Sequence, residues 1–224
     1  TQVPYVKGAL FLRTIESLVG RENFDRFLRS YFETFAFSSI TTAEFRTYLE
    51  RELLARHPDA SAKLPLEEWL TKPGIPPGAA VPESDALSKV EQLSKAWMAG
   101  DAGKVKEAAK DWTTQEWLHF LDSLPANLTA DQMARLDSTF QFTQRGNSEV
   151  LFAWLKRSIR SNYTSASREL ENFLTSVGRR KFLKPLYEEL VKSPAGKERA
   201  RAIYRKARSG YHPIAQATID GIVK

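Results

Sequence analysis

The chain has 224 residues, 42% of them hydrophobic and 27% charged, with a net charge of +6. That length allows one large core or two smaller ones, and the balance of apolar and charged residues is that of an ordinary soluble globular protein. No apolar run approaches the roughly 20 residues that span a bilayer, and no basic-then-apolar leader opens the chain, so a soluble, cytoplasmic protein with no membrane partner is expected. The absence of cysteine excludes disulfides, thiolate metal sites and cysteine nucleophiles. Thr1 in place of an initiator methionine fits a fragment or processed chain.

The charge is unevenly placed. Val150 to Lys224 holds 16 Lys and Arg against 6 Asp and Glu, whereas residues 1–149 hold 17 against 21. A basic third of this kind fits nucleic acid, an acidic partner or a carboxylate-bearing substrate, and its plainest reading is a solvated helical face.

Nearly every segment carries apolar residues at i, i+3, i+4 and i+7 and none alternates as a strand would, so an all-α protein is expected. Leu10, Phe11, Ile15 and Leu18 form the first stripe, closed by Gly20, where a left-handed cap carries no side-chain clash. Phe24, Phe27, Leu28, Tyr31, Phe32 and Phe35 form the second. Thr41-x-x-Glu44 is a capping box that launches Phe45, Tyr48, Leu49 and Leu53, its hydroxyl and carboxylate each satisfying an orphan backbone N–H. Three helices thus fill residues 6–56, and Trp69-Leu70 marks a short fourth.

Residues 72–82, Lys-Pro-Gly-Ile-Pro-Pro-Gly-Ala-Ala-Val-Pro, cannot be helical, because proline removes donors and pushes the preceding residue to extended geometry. The stretch is either a linker, the default for such composition, or a loop lining a pocket. Beyond it the stripes resume: Leu87, Val90, Leu93, Trp97; a capping box Thr113-x-x-Glu116 before Trp117, Phe120 and Leu121; another, Thr129-x-x-Gln132, before Met133, Leu136 and Phe140. Val150, Leu151, Trp154, Leu155 and Ile159 follow, then Leu170, Phe173, Leu174 and Val177, then Phe182, Leu186 and Leu190, then Ile203, Tyr204 and Ala207. Serial helices of about 10–15 residues with short connections predict stacked helical pairs, a solenoid of the HEAT or armadillo kind, although no consensus repeats at a fixed period.

Much chemistry is excluded. His-Glu-x-x-His, Gly-x-x-x-x-Gly-Lys-Ser/Thr and Gly-x-Ser-x-Gly are all absent, and the three histidines, His57, His119 and His212, lack ligand spacing, so the chain offers no metal site of its own. His57 and His119 read as structural, and His212 is expected to cap the penultimate helix. Three features remain, a phenol, a basic turn and the Pro-Gly loop. Tyr5, just before a helix, can donate a hydrogen bond to a developing oxyanion, or be a half-buried aromatic and nothing more. In Gly178-Arg179-Arg180-Lys181, Arg179 and Lys181 stand two apart at a helix N-terminal turn and can converge on one carboxylate, or form an ordinary surface turn.

Taken in order, Val3-Pro4-Tyr5-x-Lys7-Gly8, Tyr31-Phe32 through Phe35 with Ser39-Ile40-Thr41-Thr42, Trp69-Leu70-x-x-Pro73-Gly74-Ile75-Pro76-Pro77, Asn147-Ser148-Glu149 with Trp154-Leu155, Gly178-Arg179-x-Lys181-Phe182-x-x-Pro185-Leu186, and His212-Pro213 resemble the C-terminal part of the zinc aminopeptidases of the leukotriene hydrolase branch, in the gluzincin family. The likeness runs essentially end to end.

It implies that residues 1–72 are the helical end of a thermolysin-like catalytic domain, 73–82 a Pro-rich junction and 83–224 a C-terminal α-solenoid. It implies further that Tyr5 stabilises the oxyanion when zinc-bound water attacks the peptide carbonyl, that Arg179 with Lys181 holds the carboxylate of a short peptide, and that Pro4, with the Pro73 to Pro77 loop, borders the substrate cavity. The zinc motif and the glycine-rich recognition motif precede the tyrosine in that family and do not occur here. The zinc, its ligands and an N-terminal catalytic portion would therefore come from outside this sequence, and this chain alone would be inactive. Val6 replaces an acidic residue of the family, and Arg180 adds a charge to the basic turn. The competing expectation is a standalone, non-catalytic α-solenoid binding module with a basic face for an acidic partner. Nucleic acid is not expected as a partner, because the aromatic residues fall on core stripes and do not interleave with basic ones.

Overall fold

The structure, a computed structural model, describes residues 3–224; Thr1 lies outside them. Every regular element among the described residues is helical, and no helix is long and apolar enough to cross a membrane. The chain divides into two compact units, Thr1–Glu83 and Ser84–Lys224.

In the first unit, α1 (Val3–Val19) carries proline in its first turn, where a missing N–H costs nothing. Gly20, at φ +80°, turns the chain into α2 (Arg21–Thr34). Thr41 opens α3 (Thr42–Glu52) with both reciprocal bonds of the capping box formed. These bonds to backbone and hydroxyl hold the Glu44 carboxyl below its usual range. Two short helices, α4 (Pro58–Lys63) and α5 (Leu66–Leu70), complete the unit. Its core joins Phe11, Ile15, Phe24, Phe27, Leu49 and Trp69, apolar residues from α1, α2, α3 and α5 brought out of water together.

The proline-rich stretch does not run as a loose linker. Pro76 is buried and Ala79 packs on the core of the first unit. Near one end, the Lys7 ammonium on α1 donates to the carbonyls of Glu68 (2.7 Å) and Lys72. Near the other, the Ala80 N–H donates to the Thr14 hydroxyl at 2.9 Å. A segment poor in donors of its own is thus fixed at both ends to one helix.

The second unit holds nine helices: α6 (Ala86–Met98), α7 (Ala102–Ala108), α8 (Thr114–Ser123), α9 (Ala130–Phe140), α10 (Ser148–Arg160), α11 (Ser167–Ser176), α12 (Arg180–Leu190), α13 (Pro194–Ala207) and α14 (Pro213–Ile222). Helices α6, α8, α10, α12 and α14 each pack on the next in one row, and α11 packs on α13 in a second. This two-row stack is the solenoid arrangement that serial helical hairpins produce. A continuous core runs through it, with Phe142 stacked on Trp154 at 5.1 Å and Trp117 edge-on to both Phe140 and Phe142.

Helices α4, α7 and α14 lie outside the stripes expected from the sequence. Helix α7 buries only Val105 and α4 only Ala60, too few apolar positions to make a stripe; α14 has one, Ala215 and Ile219 with Ile222 and Val223 packed beside them on the core. The expected place of His212 is also corrected. Its Nδ1 accepts the Ile214 N–H at 3.2 Å, so it caps the N-terminus of α14, the last helix, rather than the penultimate one.

Candidate functional site

Tyr5 stands in the first turn of α1, with 77% of its surface exposed and Pro4 and Val6 exposed on either side. No hydrogen bond to its hydroxyl is formed by the described residues, whereas Tyr48 in the same unit is bonded to Ser30 (2.7 Å) and Thr34 (3.1 Å). Two residues further on, Lys7 ties this turn to the end of α5. The phenol is therefore held on a fixed base and open at its tip.

In the second unit, helices of the first row begin side by side. The Asn147 amide that caps α10 also donates to Thr114, the first residue of α8, at 3.0 Å, and Lys181 of α12 meets Glu149 of α10 at 2.6 Å. The basic turn lies on this edge. Arg179 is the N-cap residue of α12, exposed, with no capping bond from its side chain. Its guanidinium carbon lies 5.9 Å and the Lys181 nitrogen 5.4 Å from the centre of the Phe182 ring, so the two cations flank one aromatic side chain.

Arg179 and Lys181 are thus brought together, but not on equal terms. Lys181 already has a carboxylate, that of Glu149, while no ion pair of Arg179 is formed among the described residues. The partly exposed Lys181 pair contributes little to stability, yet it occupies the ammonium. Glu149 carries no local signal of this role, since 32 residues separate the pair.

Five other cations of the basic third are paired within it, Lys184 with Glu188, Lys192 and Arg160 with Glu189, Lys206 with Glu171, and Arg208 with Asp220. Among the described residues no group of three or more His, Cys, Asp or Glu side chains could hold a metal ion. His119 meets a single carboxylate, Glu91, at 2.9 Å.

Residues 112–223 match the family described as leukotriene A4 hydrolase, C-terminal. The chain belongs to that family. Residues 1–66 match the peptidase family M1 domain. Leucine aminopeptidase 2 of Neurospora crassa is 31% identical over 97% of this chain and 33% of its own length, and that of Pyricularia oryzae is 30% identical over 97% and 36%. The solved structure of yeast LTA4 hydrolase in complex with bestatin superposes with a TM-score of 0.78 at 27% identity, covering all of this chain and 39% of the yeast one. The chain thus spans about a third of the length of the curated relatives it matches. As a member of the leukotriene A4 hydrolase C-terminal family it has the all-helical, repeat-like fold seen above.

Proposed function

We propose that this chain is the C-terminal segment of a zinc aminopeptidase that removes N-terminal residues from short peptides. The reading is supported by the phenol of Tyr5, open at the start of a tethered helix, inside the segment that matches the M1 peptidase domain. In this role Tyr5 donates its hydrogen bond to the oxyanion of the tetrahedral intermediate, and Pro4 beside it borders the substrate. Arg179 receives the C-terminal carboxylate of a di- or tripeptide by charge-assisted hydrogen bonds. Lys181 lies on the same ring of Phe182 and adds positive potential there, while its own ammonium rests on Glu149.

The described residues do not form a zinc site, so in this reading the metal and the N-terminal catalytic portion that holds it belong outside them. A donor aimed at a developing oxyanion contributes about 3 kcal/mol to transition-state stabilisation. In the complete enzyme, Tyr5→Phe should therefore lower kcat by about 100-fold with little change in KM. Turnover within a few-fold of wild type would remove Tyr5 from the mechanism.

A further inference from the structure

Behind the basic turn lies a chain of buried hydroxyls that the role given to Arg179 does not use. Helix α11 ends at Ser176, and its last carbonyls have no N–H ahead of them in the helix. The Val177 N–H closes on Phe173 at 2.9 Å. The carbonyl of Leu174 is taken by the hydroxyl of Tyr211, 37 residues further on. A carbonyl can only accept, so the one proton of Tyr211 is committed to Leu174. Tyr187, whose hydroxyl is 3.2 Å from that of Tyr211, must then be the donor to it. Both tyrosines are buried, and burial raises the pKa of each, so the direction of the relay is fixed.

The relay joins the two helices that carry the basic turn. Leu174 is on α11, Tyr187 is on α12, and residues 177–179 are the whole connection between them. Tyr211, from the turn before α14, bonds to both. In the middle of the connection Gly178 runs close beside the same α14 turn: a methyl added to it would sit 3.9 Å from the Gly210 carbonyl. The backbone of Arg179 is held from the other side as well, its carbonyl accepting the N–H groups of Phe182 (2.9 Å) and Leu183 (3.2 Å). An exposed guanidinium finds a carboxylate at the right place only if its backbone is fixed, because its donors form a rigid fork.

We propose that Tyr211, with Tyr187 behind it, is a specificity-determining positioning residue that sets the Arg179 turn and thereby the preference for peptides with a free C-terminal carboxylate. This rests on the carboxylate-binding role of Arg179 proposed above. The relay touches no substrate; it acts by fixing where α11 ends and α12 begins.

The test compares, in the complete enzyme, kcat/KM for a tripeptide and for the same tripeptide amidated at its C-terminus. Tyr211→Phe removes the bond to Leu174 and keeps the ring. It should lower the acid-to-amide ratio about tenfold, mostly through KM of the acid, as a displaced binding group does. A packing defect would lower both substrates in parallel and leave the ratio unchanged. Arg179→Ala serves as the reference. A collapsed ratio in Arg179→Ala with a wild-type ratio in Tyr211→Phe overturns the positioning role and leaves the proposed function standing. A wild-type ratio in Arg179→Ala overturns the carboxylate reading itself, and the positioning role with it. Tyr187→Phe keeps the bond to Leu174 and removes the donor behind it; a smaller fall of the same sign is expected. If Tyr211→Phe fails to fold, an unchanged ratio in Tyr187→Phe overturns the proposal.

Discussion

The backbone N–H of Ala80 donates to the side-chain hydroxyl of Thr14 at 2.9 Å, across 66 residues of sequence. Thr14 is 3% exposed, and its own proton goes to the Leu10 carbonyl one turn back at 2.8 Å, so the hydroxyl serves as both donor and acceptor. Thr14→Val keeps the shape and removes both bonds. Leaving the Ala80 N–H without a partner should lower stability by about 1 kcal/mol, the low end for a half-buried donor. Urea unfolding followed by fluorescence measures this. Limited proteolysis should cut residues 72–81 faster in the variant, and an equal cutting rate would mean that Pro76 and Ala79 hold the stretch without Thr14.

Lys7 performs the matching task at the other end, with its ammonium on the carbonyls of Glu68 and Lys72. Hydrogen bonds from a charged donor are worth more than neutral ones, and here solvent reaches part of the site. Lys7→Met, which keeps the apolar stem, should therefore lose about 1–2 kcal/mol. Because Lys7 closes on the end of α5, exchange of the Thr71 amide, which donates to the Glu67 carbonyl at 3.0 Å, should speed up in Lys7→Met and not in a control such as Arg29→Met on α2.

How much of this was legible in the sequence depended on range. The three capping boxes, Thr41 with Glu44, Thr113 with Glu116 and Thr129 with Gln132, are each four-residue patterns, and each forms both of its bonds. The core stripes were likewise readable, because helical periodicity repeats along one element; Ile15, Leu49, Phe120 and Trp154 are almost wholly buried. Helix α7, with one buried apolar side chain, gave no period to read; it is capped by Asp101 and packs on α6. In the candidate site, Tyr5, Arg179 and Lys181 could be picked out by type and position. The pairing of Lys181 with Glu149 and the grip of Tyr211 on Leu174 could not, because residues 32 and 37 positions apart meet only once the helices have stacked.

Arg157 secures one helix end to another. Its guanidinium donates to the carbonyls of Leu121, Leu124 and Pro125, around the end of α8. These are carbonyls that the helix cannot satisfy itself, and burial lowers the pKa of the guanidinium without threatening its charge near neutrality. Arg157→Met should cost about 3 kcal/mol, since several bonds to a charged donor are lost together. Arg157→Lys should recover only part of this, because one ammonium cannot span carbonyls that a planar fork reaches. Thermal unfolding of the three proteins ranks them; a lysine variant as stable as wild type would show that charge alone is enough.

Asp220 gives the fold an acid-sensitive contact near its C-terminus. Arg208 holds it in a bidentate pair, at 3.0 Å and 2.9 Å, and the Tyr204 hydroxyl donates to it at 2.8 Å. These bonds, that of Arg208 first, hold the Asp220 carboxyl down at about 2. In the unfolded chain the same carboxyl titrates near an ordinary value of about 3.9. Its folded pKa is the lower one, so the unfolded state takes up the proton first. The stabilisation is therefore complete above pH of about 4 and disappears as the pH falls from there to about 2. Asp220→Asn has no such proton to take up. The fall in melting temperature between pH 5 and pH 2.5 should be smaller in Asp220→Asn than in wild type, even though the variant is the less stable protein at pH 7. Parallel melting curves across that interval would mean that the pair with Arg208 is already open in solution.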